Sequence, residues 1–302
     1  MKNNFIYKLE DKSRLDSFLV KQLKQNKSYV DKLLENKLIT VNNEIPFKKG
    51  LILKKGDKII INEFINNQKH SLIKSNKQLE IIYEDDDVII INKPKNMICH
   101  PTSFNENDTV INVLLNKINI KDFDDQLRPG IVQRLDRNTT GLMVIAKNKL
   151  AYESLINQIN KKILIRKYLA LVHHKFTEQR LLIKAPIDRS KQSVLKMTVS
   201  DEPKAKYAET EVFVLENYQN ASYIECQLHT GRTHQIRVHL SYIHHPIFND
   251  SLYGKNDGYK DYEQFLHSYK LSFYQPTTDK LLEFECKPDK TFIGLKNELK
   301  NA

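Results

Sequence analysis

The sequence predicts an α+β fold with a mostly antiparallel mixed sheet, preceded by a small helix–helix–sheet module. Three observations lead there. Strand-like runs bounded by turn residues recur through residues 79–302, with helix-period stretches set between them. The first sixty residues read differently, as two short amphipathic helices and then short strands. Charge divides the chain at a similar place. Residues 1–80 hold 17 Lys+Arg against 9 Asp+Glu, and the net charge of the whole chain is +11, which leaves +3 for the other 222 residues.

The first helix is expected in "SRLDSFLVKQL", with Leu15, Phe18, Leu19 and Leu23 at helical spacing and Ser13 as N-cap. A second follows in "SYVDKLLENKL", capped by Ser28, with Val30, Leu33 and Leu34 on one face. "ITVNNEIPF" reads as strand, Asn42-Asn43 turn, strand, and "LILKKGDKIIINE" as two short strands about Lys55-Gly56. Lys21, Lys24, Lys32, Lys37, Lys48, Lys49, Lys54 and Lys55 decorate this segment, residues 12–64. Residues 65–78 are polar and aperiodic and read as a linker.

From residue 79 onward, "LEIIYEDDDVIIINKP" reads as strand, acidic turn, strand. "IVQRL" reads as an extended run, "DRNTTG" as a polar loop and "LMVIAKN" as a strand. "LAYESLINQIN" is helical in pattern. "KYLALVHH", "AETEVFVLENY" and "SYIECQLHT" are strand-like, and "THQIRVHLSYI" is helical after the Gly231 turn.

Composition removes several classes. No apolar run approaches the roughly 18 residues of a membrane span. The start, "MKNNFIYKLEDKS", lacks the apolar stretch of a secretion leader, so a cytoplasmic protein is expected. Cys99, Cys226 and Cys286 are odd in number and form no CxxC pair. His229, His234, His239 and His244 recur every five residues, a spacing that does not gather ligands on one helix face, so no metal is expected. No Walker A or GxGxxG stretch is present, so no nucleotide cofactor is expected. The basic balance points to a polyanionic partner, with RNA foremost, and a monomer is the default.

"RLD" occurs twice. Arg14 and Asp16 open the first helix, where a carboxylate suits the macrodipole, and this copy reads as structural and RNA-facing. In "PGIVQRLDRNTTGLMVIAKN", Asp136 ends an extended run between Arg134 and Arg137. An oriented carboxylate beside guanidinium groups suits a nucleophile or general base. The same residues also fit an Asx-type turn in a hairpin. Tyr168 fits ordinary strand packing, and Arg237 fits an exposed helix face.

The second stretch resembles the H-R-L-D-x-x-T-[ST]-G motif of RluA-type pseudouridine synthases. Further matches follow that family's order. "EDDDVIIINKPKNMICHP" resembles its N-K-P motif, "RKYLALV" its tyrosine strand, and "LHTGRTHQIRVHLSYIHHPIFNDSLYG" its third motif. Residues 12–64 resemble an S4 RNA-binding domain, so the resemblance spans roughly residues 12–290. It implies a pseudouridine synthase catalytic domain over residues 79–302, which breaks the N1–C1′ bond of an RNA uridine and rejoins the base through C5, without cofactor or metal. By position, it makes Asp136 the nucleophile or base and Tyr168 the residue that stacks on the base and assists proton abstraction. Arg237 becomes the partner of Asp136, and Arg134 fills the gap left by an extruded base. Lys93, Arg232, Arg14 and Lys32 are further expected RNA contacts. "RPGIV" before the motif resembles members acting on large-subunit ribosomal RNA. Three positions depart from the pattern: Gln133 for histidine, Asn138 for aspartate and Asn96 for glycine.

Overall fold

The computed structural model describes residues 2–8, 12–23, 27–62, 72–101, 106–260 and 262–301. The side chains of residues 2–4, 28 and 32 lie outside that description, which takes in the expected cap Ser28 and the expected RNA contact Lys32. Lys24 and the first part of the expected linker also lie outside it. The chain divides into two compact units, Met1–Lys69 and His70–Ala302.

The first unit runs β1 (Lys2–Ile6), β2 (Ser13–Arg14), α1 (Leu15–Leu23), α2 (Lys27–Glu35), β3 (Ile39–Val41), β4 (Ile52–Leu53) and β5 (Lys58–Asn62). β5 is the middle of an antiparallel three-stranded sheet, β1-β5-β3, and β2 pairs β4. The helical spacing buries Leu15, Phe18, Leu19, Val30 and Leu33 against Ile39, Val41, Ile59 and Ile61, and Tyr7 packs edge-on to Phe18 at 5.2 Å. Asn42 and Asn43 both take positive φ, 53° and 69°, the two-residue turn that Asn tolerates best after Gly. The strand expected beyond that turn is reduced to a single bridge, Val41 to Glu44. Ser13 lies in β2 and does not stand directly before Leu15, so it is not the cap of α1.

The second unit runs β6 (Glu80–Glu84), β7 (Val88–Lys93), α3 (Val110–Leu114), β8 (Thr140–Ala146), α4 (Lys149–Asn160) and β9 (Ile165–His173). It continues through β10 (Arg180–Lys184), β11 (Ile187–Arg189), β12 (Met197–Val199), β13 (Glu209–Asn217), β14 (Ala221–Leu228) and α5 (Gln235–Tyr242). β15 (Leu266–Tyr274), β16 (Leu281–Glu285) and α6 (Lys290–Asn301) complete it. Its main sheet has the order β10-β13-β14-β9-β15-β8-β7-β6, with β16 on β15. Among the described residues, every pairing in that sheet is antiparallel except β15 with β8.

Alternation in the sequence becomes two cores. Ile89, Ile91, Met143 and Ile145 join α3, α5 and α6 on one face, while Val88, Ile90, Leu142 and Val144 join Ala151 and Leu155 of α4 on the other. Strands covered on both faces read as unbroken apolar runs, which is the character of "VIII" in β7. Asn148 caps α4 by accepting from the Ala151 N–H at 2.8 Å.

Two expectations need correction. "IVQRL" is not a strand. Ile131 makes one bridge, to Ile145, and residues 132–139 run irregularly into β8. The polar stretch 72–78 is not wholly a free linker either, because Ser75 donates to Asp108 at 2.7 Å and Asn112 donates to the Ile73 carbonyl at 2.7 Å.

Candidate active site

The loop carrying Asp136 is held from below. Lys93 ends β7 on the same side as Ile89 and Ile91, and its ammonium donates to the carbonyls of Pro94, Met97 and Arg137 at 2.8, 2.8 and 3.0 Å. Burial lowers Lys93 to about 8, so it is charged at neutral pH with its three protons engaged. It is fully buried. Lys93 is therefore a strut for the Asp136 loop, which corrects the expectation of a direct RNA contact. Leu135 anchors the loop by packing inward, with its N–H and carbonyl both on Cys99 Sγ. Gly141, just beyond the loop, has φ 106°, and a Cβ there would stand 2.2 Å from the Ser268 carbonyl oxygen. Only glycine lets β8 approach β15 this closely at the base of the site.

Asn96 takes φ 59°, a conformation that asparagine tolerates in place of glycine. Its N–H donates to Asn138 Oδ1 at 3.3 Å, and the Asn138 amide donates to Glu263. Two of the three departures from the family pattern thus meet each other. An aspartate at 138 would oppose Glu263, whereas the amide bonds it.

Helix α5 supplies the partner of Asp136. Its start is fixed by Gln235, whose amide donates to the Glu209 carbonyl and Thr210 and whose oxygen accepts from Thr230 and the Arg232 N–H. Two residues on, the Arg237 guanidinium spans two carboxylates. Nε and Nη2 grip Asp250 at 2.7 and 2.8 Å, and Nη1 donates to Asp136 Oδ2 at 3.0 Å. Burial works to lower Arg237, but Asp250 and then Asp136 outweigh it and hold it higher. The guanidinium also lies 5.0 Å over the Tyr253 ring, and the Tyr253 hydroxyl meets His234 at 2.8 Å. Burial holds His234 down, so its imidazole is neutral at pH 7.

Tyr168 projects from β9 into the same space. It is buried, and that burial pushes its phenol up to about 12. A cavity of about 40 Å³ is lined by Asp136, Tyr168, Arg237, Arg134, Arg232 and His234. Five expected site residues, from three separate stretches of the sequence, thus line one space. Asp136 is partly open to it (17% side-chain exposure), and Arg134 and Arg232 are exposed. Arg14 lies in the first unit, committed to Asp16 through Nε at 3.0 Å and Nη2 at 2.7 Å. The Arg14 guanidinium holds the Asp16 carboxyl down to about 2. The first "RLD" is an internal staple, whereas the second presents its aspartate to a cavity.

Asp250 and Tyr253 were not picked out as functional in the sequence, and His234 only as one of a row of histidines expected to contact RNA or pack loops and not to bind metal. The signal lay within the third motif, "GRTHQIR" and "HPIFNDSLYG", where Arg232 and Arg237 alone were given roles.

The arrangement is an anionic oxygen fixed by a buried arginine, with a neutral phenol beside it and cations at the mouth. That arrangement suits an enzyme acting on a polyanion. The family model for RNA pseudouridylate synthase matches residues 87–242. An uncharacterized RNA pseudouridine synthase of Mycoplasma pneumoniae is 37% identical over 92% of this chain and 90% of its own length. The ribosomal large subunit pseudouridine synthase D of Buchnera aphidicola is 34% identical over 94% of this chain and 92% of its own. The solved human RNA pseudouridylate synthase domain containing 1 covers 71% of this chain and 85% of its own, at 27% identity and TM-score 0.56. The chain belongs to the RNA pseudouridylate synthase family and is an RluA-like RNA pseudouridine synthase.

Proposed function

We propose that this enzyme converts uridine to pseudouridine in large-subunit ribosomal RNA, with Asp136 as the residue that opens the reaction. The observation that carries this is the Asp136–Arg237–Asp250 chain, which orients one carboxylate oxygen toward a cavity beside Tyr168. In the proposed course Asp136 acts at the sugar as the N1–C1′ bond breaks. The freed base turns, C5 bonds to C1′, the C5 proton leaves and N1 ends protonated, so nothing is oxidised or consumed. Tyr168, held neutral by its raised pKa, serves as the platform against the base. A base inside folded RNA must first be extruded, at a cost of about a few kcal/mol. Arg134, exposed and lining the same cavity, fills the vacancy in this reading. The ribosomal target rests on relatives such as the Buchnera protein, named for the large ribosomal subunit. Mapping pseudouridines in ribosomal RNA and transfer RNA from cells lacking the protein tests it. Loss of a large-subunit site is expected, whereas loss confined to transfer RNA would overturn the target.

The first unit is proposed to be an S4-like RNA-binding domain in a cytoplasmic enzyme, linked to a catalytic domain over residues 79–302. Its Lys21, Lys37, Lys48 and Lys54 are exposed, and Phe47, 81% exposed, lies against Lys48 at 5.2 Å. An open aromatic among cations suits a base stacked on a phosphate-binding surface. Deleting residues 1–70 is expected to weaken RNA affinity and flatten its salt dependence, because each phosphate neutralised by a cation releases about one counterion. An unchanged slope in titrations across salt concentrations would show that these lysines reflect composition and not binding.

A further inference from the structure

A second cavity, of about 540 Å³, adjoins the first and shares Tyr168, Arg134 and Arg232 with it. That size lies within the range of roughly 300–1,000 Å³ typical of small-ligand sites. Its walls hold three buried nitrogens without a hydrogen-bond partner: Arg166 Nε, Gln133 Nε2 and His100 Nδ1. The three residues are only 4%, 7% and 6% exposed. Among the described residues, no ion pair or hydrogen bond engages the Arg166 guanidinium. Buried cations are normally paired, and buried polar atoms normally satisfied, so three orphans among the residues lining one cavity call for a cause.

Local structure explains why Arg166 stands at this cavity. Arg166 and Tyr168 are two apart on β9 and so point to the same face. Gly231 abuts the guanidinium, where a Cβ would meet Arg166 Nη1 at 3.0 Å, so the absence of a side chain at 231 is what gives that group its room. Of the other cations around the cavity, Arg134 is exposed to solvent, Arg232 donates to the Tyr207 carbonyl at 2.9 Å, and two are paired. Lys162 pairs with Glu209 at 2.6 Å and Arg128 with Asp125 at 3.5 Å. Among the described residues that line it, Arg166 alone is a cation both buried and unopposed.

We propose that this cavity seats a nucleotide flanking the target uridine, with its backbone phosphate on Arg166 and its base edge read by Gln133 and His100. A guanidinium fork matches a phosphate, and a side-chain amide offers both a donor and an acceptor to a base edge. Gln133, which stands where the resembling family carries histidine, then becomes a determinant of which flanking base is accepted. The inference rests on the Asp136 cavity being the seat of the target uridine.

The test uses the full chain and a short RNA containing a uridine that the wild type converts. Binding is measured on the Asp136→Asn protein, so turnover does not interfere. Replacing one flanking phosphate by an uncharged methylphosphonate is expected to weaken binding about tenfold, the scale of a charged hydrogen bond. Adding Arg166→Met should cause a similar loss with native RNA and no further loss at that linkage. Equal sensitivity to every methylphosphonate with and without Arg166 would overturn the proposal. Arg166→Met should also raise the midpoint of thermal unfolding, because it removes an unpaired buried charge. A lowered midpoint with unchanged RNA affinity would make Arg166 structural and overturn the proposal equally. Gln133→Leu keeps the test alive should Arg166→Met fail to fold. In the active enzyme its effect should fall on KM, by about tenfold, the scale of one base-edge hydrogen-bonded pair, and an unchanged KM counts against the site. Wild-type conversion of the RNA is scored separately, so failure of the activity and failure of this cavity are read apart.

Discussion

Asp136→Asn is expected to abolish pseudouridine formation, with a fall of about four orders of magnitude or more, the scale of losing a principal reacting group. The change is nearly isosteric and removes one anionic oxygen. Arg237 keeps its two-pronged grip on Asp250, and the loop keeps its Lys93, Leu135 and Thr139 contacts. Stability should therefore move by about 1 kcal/mol at most, the net worth of one partly exposed bond. RNA affinity should hold, since the cations at the cavity mouth are untouched. Turnover is read by release of a C5 label from uridine in RNA, alongside thermal unfolding and RNA binding. Turnover within tenfold of wild type in a folded protein would remove Asp136 from the chemistry.

How much of this was legible in the sequence depended on what decided each element. Elements decided by local pattern were readable. The β6–β7 and β13–β14 hairpins and α4 follow alternation or helical spacing, and their observed bounds lie close to the expected ones. Elements decided by a distant partner were not. "KNNFI" becomes β1 because β5 offers it an edge, and nothing in its composition announces a strand. "IVQRL" has a strand's composition, but only Ile131 finds a bridge, so the rest stays irregular and carries Asp136. Lys93 was misread for a related reason. Its charge suggested solvent, but its parity with Ile89 and Ile91 already placed it on the covered face. Arg166 carries the same signal through its parity with Tyr168. The role proposed for Asp136 comes from the motif, while the Asp250 anchor and the unopposed Arg166 needed three-dimensional neighbours to be seen.

Asp250 ties the stability of the fold to the role proposed for Asp136, and two substitutions separate the two. Asp250→Ala leaves Arg237, with 9% side-chain exposure, holding two buried donors without acceptors. Breaking one side of a buried pair costs about 3–5 kcal/mol. At about 2–4 °C per kcal/mol for a unit of this size, the unfolding midpoint should fall by roughly 10 °C. Asp250→Asn preserves the shape and can still accept from the N–H groups of Leu252 and Tyr253, both at 3.2 Å in the native protein. The fold should therefore survive, but Asp136 becomes the sole carboxylate opposing Arg237. The guanidinium is then drawn toward the reacting group and no longer held behind it. A displacement of about 1 Å at such a site costs about a hundredfold, so kcat should fall by that order while RNA affinity stays level. The two variants should thus separate in opposite senses, Ala chiefly in unfolding and Asn chiefly in kcat. If both unfolded at the wild-type temperature with wild-type turnover, Arg237 would owe its position to α5 alone, and the Asp136–Arg237–Asp250 chain would be a contact without consequence.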